Sequence, residues 1–518
     1  MLRKYIAAIC TSSLAAGVAS AAVLPVAANS QFYISGSTAL NNQLYADLLQ
    51  NGGICQAGSI SVYIDSTLAG GGLPKSHEAA IVCTLNQALG TLAIGAPVAW
   101  MKESNGGSNE GTNNIANAIA LNEINASAAG TCAAGQSVGA GVVYAHQQAF
   151  TEFDSCTNIA AIVPTIGLAD ENPQLFNVGQ DAISPSAIAK INSATMFQNG
   201  FGVAVSLNLY RALQRQQGLA LTDTLATMPK LSHQQIAGLY TGGIDWSGVG
   251  DANGVAINNA AYDPAPSAPN TVFLCRRGDT SGTNVSADVF FLRNRCSAQR
   301  FPMLAATTSA ANCGSLPAGE TPTNVGCHWV TATNGADTVF AGSGGGDVTN
   351  CLHAHDKADQ FAMGTLGVTS KFDDPNGLGG SADAVGTNHF RYVAIDGAKP
   401  TVISQANGTY PFVMDNVINT LKTLGGNPLA AATFIQTSLT TAIPLADTFV
   451  TQPGGDANYV TGGILDASNP NNIAALGAPV TLAQVTATPV SPLTMSPSGA
   501  VDDCQAPIPT TVVQTVQP

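Results

Sequence analysis

The hydrophobic pattern alternates between short apolar runs, typical of buried strands, and stretches with helical spacing. The run in QFYISGSTAL (31–40) enters a Gly-Ser-Thr turn. The following LNNQLYADLLQ is predicted to be a helix, because its leucines lie on one face. Those leucines are Leu40, Leu44, Leu48 and Leu49.

Further elements are predicted along the chain in the same way. Predicted strands lie at 98–101, at 160–168 (ending near Asp170) and at 271–275, and 200–215 is predicted to be a strand that runs into a helix. Predicted helices lie at 115–121, at 232–240 with Ser232 as N-cap, and at 285–292. Strands that alternate with helices indicate an α/β protein with mixed, mostly parallel sheets and flanking helices.

Gly- and Cys-rich stretches interrupt this alternation. They lie at about 51–95, 122–158 and 297–345, and we interpret them as loop insertions. Residues 479–518 are rich in Pro, Thr and Val and are predicted to form an extended tail.

Composition excludes some classes of partner. The chain has 518 residues, of which 45% are hydrophobic and 10% charged, so it can bury a large core. Its formal charge of −14 argues against nucleic acid and anionic membranes, which both require a basic surface. A small anion is not excluded, since backbone N–H groups and one or two cations can hold it locally.

The first residues indicate export. MLRK supplies a charged start, an apolar stretch follows, and Ala19-Ser20-Ala21 is typical of a cleavage site, so we expect a signal peptide at 1–21. No other apolar stretch is long enough to span a bilayer, so we expect a periplasmic or secreted protein without membrane insertion.

Cysteine usage supports the same compartment. Eleven cysteines are present, and ten remain without Cys10, at irregular spacings that favour disulfides over zinc or redox sites. Cys132–Cys156 and Cys313–Cys327 are candidate local loops, and the sequence leaves the full connectivity open.

Turns rich in Gly, Ser and Thr that lead from a strand into a helix are candidate anion sites. The first N–H groups of a helix lack intrahelical partners and carry partial positive charge. Such turns occur three times, and one of them adjoins the pair Arg276-Arg277.

Seven segments resemble, in order, those of one known family. They are SGSTAL (35–40), GGSNEGTNNI (106–115), IGLADENP (166–173), LYTGGIDWSGV (239–249), FLCRRGDTSGTN (273–284), FAMGTLGVTSK (361–371) and YVAIDGAKPT (392–401). The family is the phosphate-binding components of ABC transporters, within the type II periplasmic binding proteins. Arg-x-x-x-Ser-Gly-Thr at the start of a helix is the most specific of these motifs.

The resemblance implies a fold and a ligand. It implies two α/β lobes joined by two crossover strands, with lobe one at 30–178 plus 366–475 and lobe two at 179–365. The interlobe cleft would capture phosphate or a similar tetrahedral oxyanion, and an ABC permease would be a candidate partner. Neither a cofactor nor a metal is implied.

Roles follow for eight residues in the resembling motifs. The backbone N–H of Ala39 would point at the ligand, and Gly282 would allow the backbone to approach it closely. Arg277 would make a charge-assisted contact with the ligand. Four side-chain hydroxyls would donate hydrogen bonds to it, those of Thr38, Ser108, Ser281 and Thr283. Asp170 would accept a hydrogen bond from a protonated ligand oxygen, which selects phosphate over sulfate. Glu110 stands where the family turn usually has Gly, and an inward carboxylate would repel a dianion.

Two other functions stay open at this stage. One is a secreted phosphatase-like enzyme on the same fold, and the other is a surface or matrix protein that has lost its ligand.

GQSVG (135–139) formally fits a nucleophile elbow, but a buried strand does not precede it. His353 and His355 could offer metal ligands if they lay on one strand face, although their surroundings favour the start of a helix.

Overall fold

The structure is a computed structural model of the chain. It describes residues 26–66, 72–73, 76–104, 106–124, 131–143, 147–177, 182–263, 270–279, 281–296, 302–304, 329–331, 338–342, 344–368, 390–400, 410–440, 464–465, 493–494 and 508–509. The predicted signal peptide (1–21) and most of the predicted tail (479–518) lie outside these residues.

The described residues form an α/β structure, as predicted. The strands are β1 (Gln31–Gly36), β2 (Ser61–Ile64), β3 (Glu78–Thr84), β4 (Pro97–Glu103), β5 (Leu121–Ile124), β6 (Gln136–Val138), β7 (Phe150–Phe153), β8 (Ile159–Ile162), β9 (Ile166–Ala169), β10 (Ile191–Ser206), β11 (Lys230–Leu231), β12 (Phe273–Arg277), β13 (Trp329–Thr331), β14 (Thr338–Gly342), β15 (Ala362–Gly367), β16 (Phe390–Ile395), β17 (Val413–Leu421), β18 (Ile464–Leu465), β19 (Leu493–Thr494) and β20 (Ile508–Pro509). The helices are α1 (Asn41–Leu49), α2 (Glu110–Asn117), α3 (Pro185–Ile188), α4 (Leu207–Gln216), α5 (His233–Tyr240), α6 (Gly282–Ala287), α7 (Gly345–Lys357) and α8 (Gly426–Thr440).

Each half of the molecule has three parallel strands at its centre. In the first half β1 pairs in parallel with β4 and β9. In the second half β12 pairs in parallel with β14 and β15. Antiparallel pairs such as β3–β4 and β9–β17 flank these strands. The parallel triplets matter for function because the carboxyl ends of their strands meet at one edge.

Two segments cross between the halves. The first part of β10, Ile191–Gly200, pairs with β17, whereas the part after Gly200 pairs with β15 and β16. The chain returns just before β17, where the Tyr410 hydroxyl donates to the carbonyl of Phe201 and Phe412 stacks on Phe290 at 4.5 Å. The two crossings give the two-lobed α/β fold that the sequence predicts.

The strand pairing changes within β10 near residue 200, and the second crossing lies near residue 410, just before β17. The lobe boundaries at 178/179 and 365/366 stay a prediction. β15 and β16 pair with β10 inside the second half. These pairings are distant in sequence, and no local signal marks them.

Each half packs its own hydrophobic core. The first core includes Phe32, Leu44, Trp100 and Ile435. The second includes Val203, Tyr210, Trp246, Leu274 and Phe291, and it continues into first-half residues near the crossings. Burial of these side chains provides the main favourable free energy of each half.

Three local predictions need correction. The helix predicted at 115–121 begins earlier, at Glu110, and ends at Asn117, so Leu121 opens β5. The strand predicted at 160–168 is two strands, because Pro164 lies between β8 and β9 and has no N–H for a ladder. His353 and His355 lie near the end of α7, not at a helix start.

Disulfides are present among the described cysteines. The predicted Cys132–Cys156 bond is confirmed, and Cys55–Cys83 and Cys275–Cys351 accompany it. The other predicted pair, Cys313–Cys327, lies outside the described residues. In the described part of the chain, no helix has the length and apolar character needed to cross a membrane.

Candidate functional site

The first turn of the site follows β1. Gly36 has a φ of +109°, and a Cβ there would lie 2.0 Å from the carbonyl oxygen of Leu168, so only glycine fits. Ser37 then caps a single 3-10 turn, Thr38–Leu40, and its hydroxyl donates to the Asp170 carboxylate. The Ala39 N–H donates to the Ser37 hydroxyl at 3.1 Å, so in this structure it points at Ser37.

The second turn follows β4 and precedes α2. Ser108 is buried, and its Oγ accepts a hydrogen bond from the Asp170 N–H at 3.1 Å. Gly107 lies against the second half, because a Cβ on it would be 3.7 Å from Nη2 of Arg277 and 3.8 Å from Cα of Ser281. This turn therefore faces the motif on the opposite half.

Glu110 does not carry a carboxylate that is free to meet a ligand. Its Oε2 accepts a hydrogen bond from the Gly106 N–H at 2.8 Å, which closes the loop that Glu110 follows. The side chain thus acts as a local cap. This contact gives the Glu110 carboxylate a structural role at the start of α2.

Asp170 lies at the centre of the first-half groups. It directly follows β9, whose end meets the end of β1, and only 3% of the residue is exposed. Burial raises the pKa of this carboxyl above its usual range, against the hydrogen bonds from Ser37 and Ser108 and the charge of Arg277. Both first-half turns therefore converge on one buried acid.

The second half contributes the end of β12 and the start of α6. Arg277 is buried, and its Nε has no hydrogen-bond partner among the described residues. Burial lowers the pKa of Arg277, and the charges of Asp170 and Asp347 oppose that shift. Its neighbour Arg276 is used structurally, since it pairs with Asp279 at 2.9 Å.

The two halves meet at Gly282. A Cβ on this residue would lie 2.4 Å from Oγ of Ser108 and 2.5 Å from Oδ2 of Asp170. Ser281 stands at the N-cap of α6, yet its side chain makes no capping hydrogen bond. The start of α6 is thus pressed against the acid and the second turn, with the Ser281 side chain beside them.

The predicted site residues therefore come together. Ser108, Asp170, Arg277, Ser281 and Gly282 are joined by the contacts above, and Thr283 follows in the first turn of α6. Thr38 follows Ser37, whose hydroxyl reaches Asp170.

Sequence reasoning missed two polar residues at this site. Ser37 contacts Asp170 directly, whereas the resemblance pointed to its neighbour Thr38. Lys102 is buried beneath the turns, and its Nζ donates to the carbonyl oxygens of Gly36 and Glu103. A lysine inside the apolar run of β4 was a signal that could have found it.

The candidate nucleophile does not have the required geometry. Ser137 of GQSVG is exposed on β6, which pairs antiparallel with β7. A nucleophile elbow needs a strand that turns sharply into a helix.

His355 and the two cysteines near it make other interactions in this structure. Nδ1 of His355 lies 2.7 Å from Oε1 of Gln360, and burial lowers the pKa of His355 to about 4. The group of Cys275, Cys351 and His355 offers no thiolate, because the two cysteines form a disulfide.

Comparisons with known proteins give likenesses at the level of solved structures only. No family model and no curated protein matches the chain. A phosphate ABC transporter substrate-binding protein from Clostridium perfringens, solved with bound phosphate, is similar at a TM-score of 0.34 and 13% identity, over 78% of this chain and 92% of that one. An ABC-type phosphate transport receptor from Vibrio cholerae has a TM-score of 0.27 and 13% identity, over 54% and 75%. PstS from Borrelia burgdorferi has a TM-score of 0.27 and 11% identity, over 54% and 74%. Because these TM-scores are below 0.5, the likenesses carry no inference about the ligand.

Proposed function

We propose that this chain is a solute-binding protein that holds a tetrahedral oxyanion, phosphate first, between its two halves without covalent chemistry. The observation that carries the proposal is Arg277: a buried guanidinium whose Nε has no described partner, in the contact between the halves. A buried charge without a partner costs several kcal/mol, and a bound anion would remove that cost.

Further donors surround the same point. The hydroxyls of Thr38, Ser281 and Thr283 make no hydrogen bond to another described residue. The N–H groups of Gly282 and Thr283 lie in the first turn of α6, where no intrahelical partner exists. Together with the Arg277 guanidinium, these groups match the several oxygens of one tetrahedral anion.

Asp170 would make the site select phosphate over sulfate. A carboxylate can accept a hydrogen bond from HPO₄²⁻ or H₂PO₄⁻, whereas sulfate offers it no proton and only repulsion. Burial raises the pKa of Asp170, and the hydrogen bonds of Ser37 and Ser108 oppose that rise in favour of the charged, accepting form. We therefore expect phosphate to bind better than sulfate.

Closure of the halves supports a binding role. Gly282 of the second half touches Ser108 and Asp170 of the first, and the Ser286 hydroxyl donates to the carboxylate of Glu171 at 2.5 Å. An anion in this contact would be shielded from water, which strengthens each of its hydrogen bonds. Ligand that touches both halves favours the closed state over an open one.

Location and partner remain part of the proposal. The signal-like residues 1–21 support export, and the anion would be taken up through an ABC permease or scavenged outside the cell. The formal charge of −14 does not oppose this, because the donors at the site act locally.

Isothermal titration of the purified chain with phosphate and with sulfate tests the proposal. Arg277→Ala should weaken phosphate binding by roughly 2–5 kcal/mol, as truncation of a buried charged contact does. Arg215→Ala is the matched control, because Arg215 is exposed on α4. An unchanged affinity in Arg277→Ala, or equal affinity of the wild type for both anions, would contradict the proposed site.

A further inference from the structure

A lysine is buried in the strand beneath the proposed site. Lys102 lies in β4 between Met101 and Glu103 and is 1% exposed. Its Nζ donates to the carbonyl oxygen of Gly36 at 2.8 Å and to that of Glu103 at 2.7 Å. Lysine is almost never fully buried unless it is paired, so this ammonium requires a physical explanation.

The two carbonyls belong to the strand ends that carry the first-half turns. Gly36 ends β1 and directly precedes Ser37, whereas Glu103 ends β4 shortly before the turn at Gly107. β1 and β4 are parallel neighbours. One ammonium group therefore ties together the two places at which the chain leaves the sheet to form the site.

Acidic groups approach Lys102 from several elements. In order of influence they are Glu103 on β4, Glu123 on β5, Glu110 on α2 and Asp170 after β9, and Glu78 on β3 lies opposite Glu103. The two hydrogen bonds of the ammonium go to carbonyl oxygens, not to these carboxylates.

The carboxyl of Glu123 is not a hydrogen-bonded partner of Lys102. Neither of its oxygens has a hydrogen-bond partner among the described residues. Burial and then the charge of Glu103 raise the pKa of Glu123 well above its usual range, while the charge of Lys102 opposes that rise. The Glu110 carboxylate is held by the Gly106 N–H. The hydrogen bonds of the Lys102 ammonium therefore tie it to the two strand ends and to neither of these acids.

We propose that Lys102 is a positioning residue of the anion site: its ammonium holds the Ser37 and Gly107 turns together through Gly36 and Glu103, and its charge favours the bound anion. This inference rests on the proposed function. The proposed site would then use two cations: Arg277, which contacts the ligand, and Lys102, which does not.

The titration of this lysine gives the inference a distinctive signature. Burial lowers the pKa of Lys102 to about 8, and the acids around it oppose the shift. Below that pH the group is an ammonium and stabilises the bound anion; above it the amine is neutral and the charge is lost. The contribution of Lys102 to affinity should therefore disappear as the pH rises through about 8.

The experiment is calorimetric titration of the full chain with inorganic phosphate at several pH values on both sides of that pKa. The quantity compared is the ratio of the Kd of Lys102→Met to the Kd of the wild type at each pH. The titration of phosphate itself is common to both proteins and cancels in the ratio. Loss of the Lys102 charge should also raise the pKa of Asp170, which adds to the loss of affinity at the acidic end. We expect a ratio of about 10 at the acidic end, since a nearby buried charge is worth that much, which falls toward one at the alkaline end.

Two further variants separate the charge from the packing. Lys102→Arg keeps a cation at all these pH values, so its affinity should not show the alkaline loss. Lys230→Met, an exposed lysine on β11, should leave the Kd unchanged at every pH. A ratio that is the same at all pH values would overturn the inference and leave Lys102 a purely structural residue.

Failure of the inference differs from failure of the proposed function. If the wild type binds no phosphate at any pH, the proposed function is wrong. If the wild type binds but the ratio is flat, only the role of Lys102 is wrong. Should Lys102→Met fail to fold, the wild type and Lys102→Arg still decide: equal alkaline losses of affinity in these two proteins would overturn the inference.

Discussion

The two halves of the molecule bring different kinds of polar groups to the proposed site. In the first half, Ser37, Ser108 and Asp170 bond to one another. In the second half, the Nε of Arg277 and the hydroxyls of Ser281 and Thr283 have no described partners. One half is thus assembled by its own hydrogen bonds, whereas the other presents donors that a ligand would satisfy.

This difference follows from the sign of the groups. Burial favours the protonated form of an acid, and the hydrogen bonds from Ser37 and Ser108 oppose that shift at Asp170. A guanidinium keeps its charge regardless, so Arg277 can stay ionised while its partner is absent. In the proposed site, the first half would therefore set which protonation state of the ligand is accepted, and the second half would supply the attraction.

Among the variants that test the contrast between the halves, Gly282→Ala should have the largest effect, because it tests whether the two sets of groups meet at all. Gly282→Ala would place a Cβ 2.4 Å from Oγ of Ser108, and closure would require one half to move back. We expect phosphate affinity to fall by about 100-fold or more, which is about 2.7 kcal/mol. Calorimetric titration measures the loss.

The control for this variant lies on another helix. Gly346→Ala changes a glycine in the first turn of α7, where an added Cβ meets nothing within 4 Å. Alanine is the better helix former at both positions, so lost stability would not explain a selective effect of Gly282→Ala. Normal binding by Gly282→Ala would show that the halves do not close on the anion.

A smaller effect is expected from the central acid of the first half. Asp170→Asn keeps the size of the side chain but removes the charge that accepts a ligand proton. We expect phosphate affinity to fall about tenfold while sulfate affinity rises, because the repulsion of sulfate is gone. The ratio of the two Kd values is the measurement.

Glu110→Gln provides the matched comparison for this acid. It also removes one negative charge near the site, but the Glu110 carboxylate is turned to the Gly106 N–H. This variant should keep the phosphate preference of the wild type. If both variants change selectivity equally, the effect is general electrostatics and not a contact of Asp170.

Local chemistry explains why much of this site could be predicted from the sequence. Gly36, Gly107 and Gly282 each sit where a strand passes into a helix, and the dipole and free N–H groups of such turns are encoded within a few residues. The capping of α5 by Ser232 was equally local and is confirmed by its hydrogen bond from the Gln235 N–H at 3.1 Å. Patterns of this kind need no knowledge of distant pairing.

Pairing between distant segments explains what could not be predicted. The length of β10 and its change of partners near Gly200 depend on β15, β16 and β17, which follow more than a hundred residues later. The contact of Ser37 with Asp170 and the burial of Lys102 depend on the same sheet. Sequence reasoning placed the turns but not the hydrogen bonds among them.

The smallest expected effect tests whether the first half is assembled in advance. Ser37→Ala removes the hydroxyl that donates to Asp170 and that accepts from the Ala39 N–H. Since this hydrogen bond lowers the pKa of Asp170, its loss should raise that pKa further and protonate the acid at higher pH. Phosphate affinity should fall a few-fold, by about 1 kcal/mol, as for one lost hydrogen bond. The acid limb of the affinity–pH profile should move to higher pH.

A serine–aspartate pair elsewhere on the surface provides the control for Ser37→Ala. Ser247 donates to Asp245 in the same way, but the pair is exposed and belongs to the second half, outside the contact between the halves. Ser247→Ala should change neither the affinity nor the profile, because this pair does not contact the proposed site. If Ser37→Ala also left the profile in place, the hydrogen bonds of the first half would be a consequence of packing and would not set the charge of Asp170. The first half would then not be preassembled for the ligand, while Nε of Arg277, without a partner among the described residues, would still support the proposed anion.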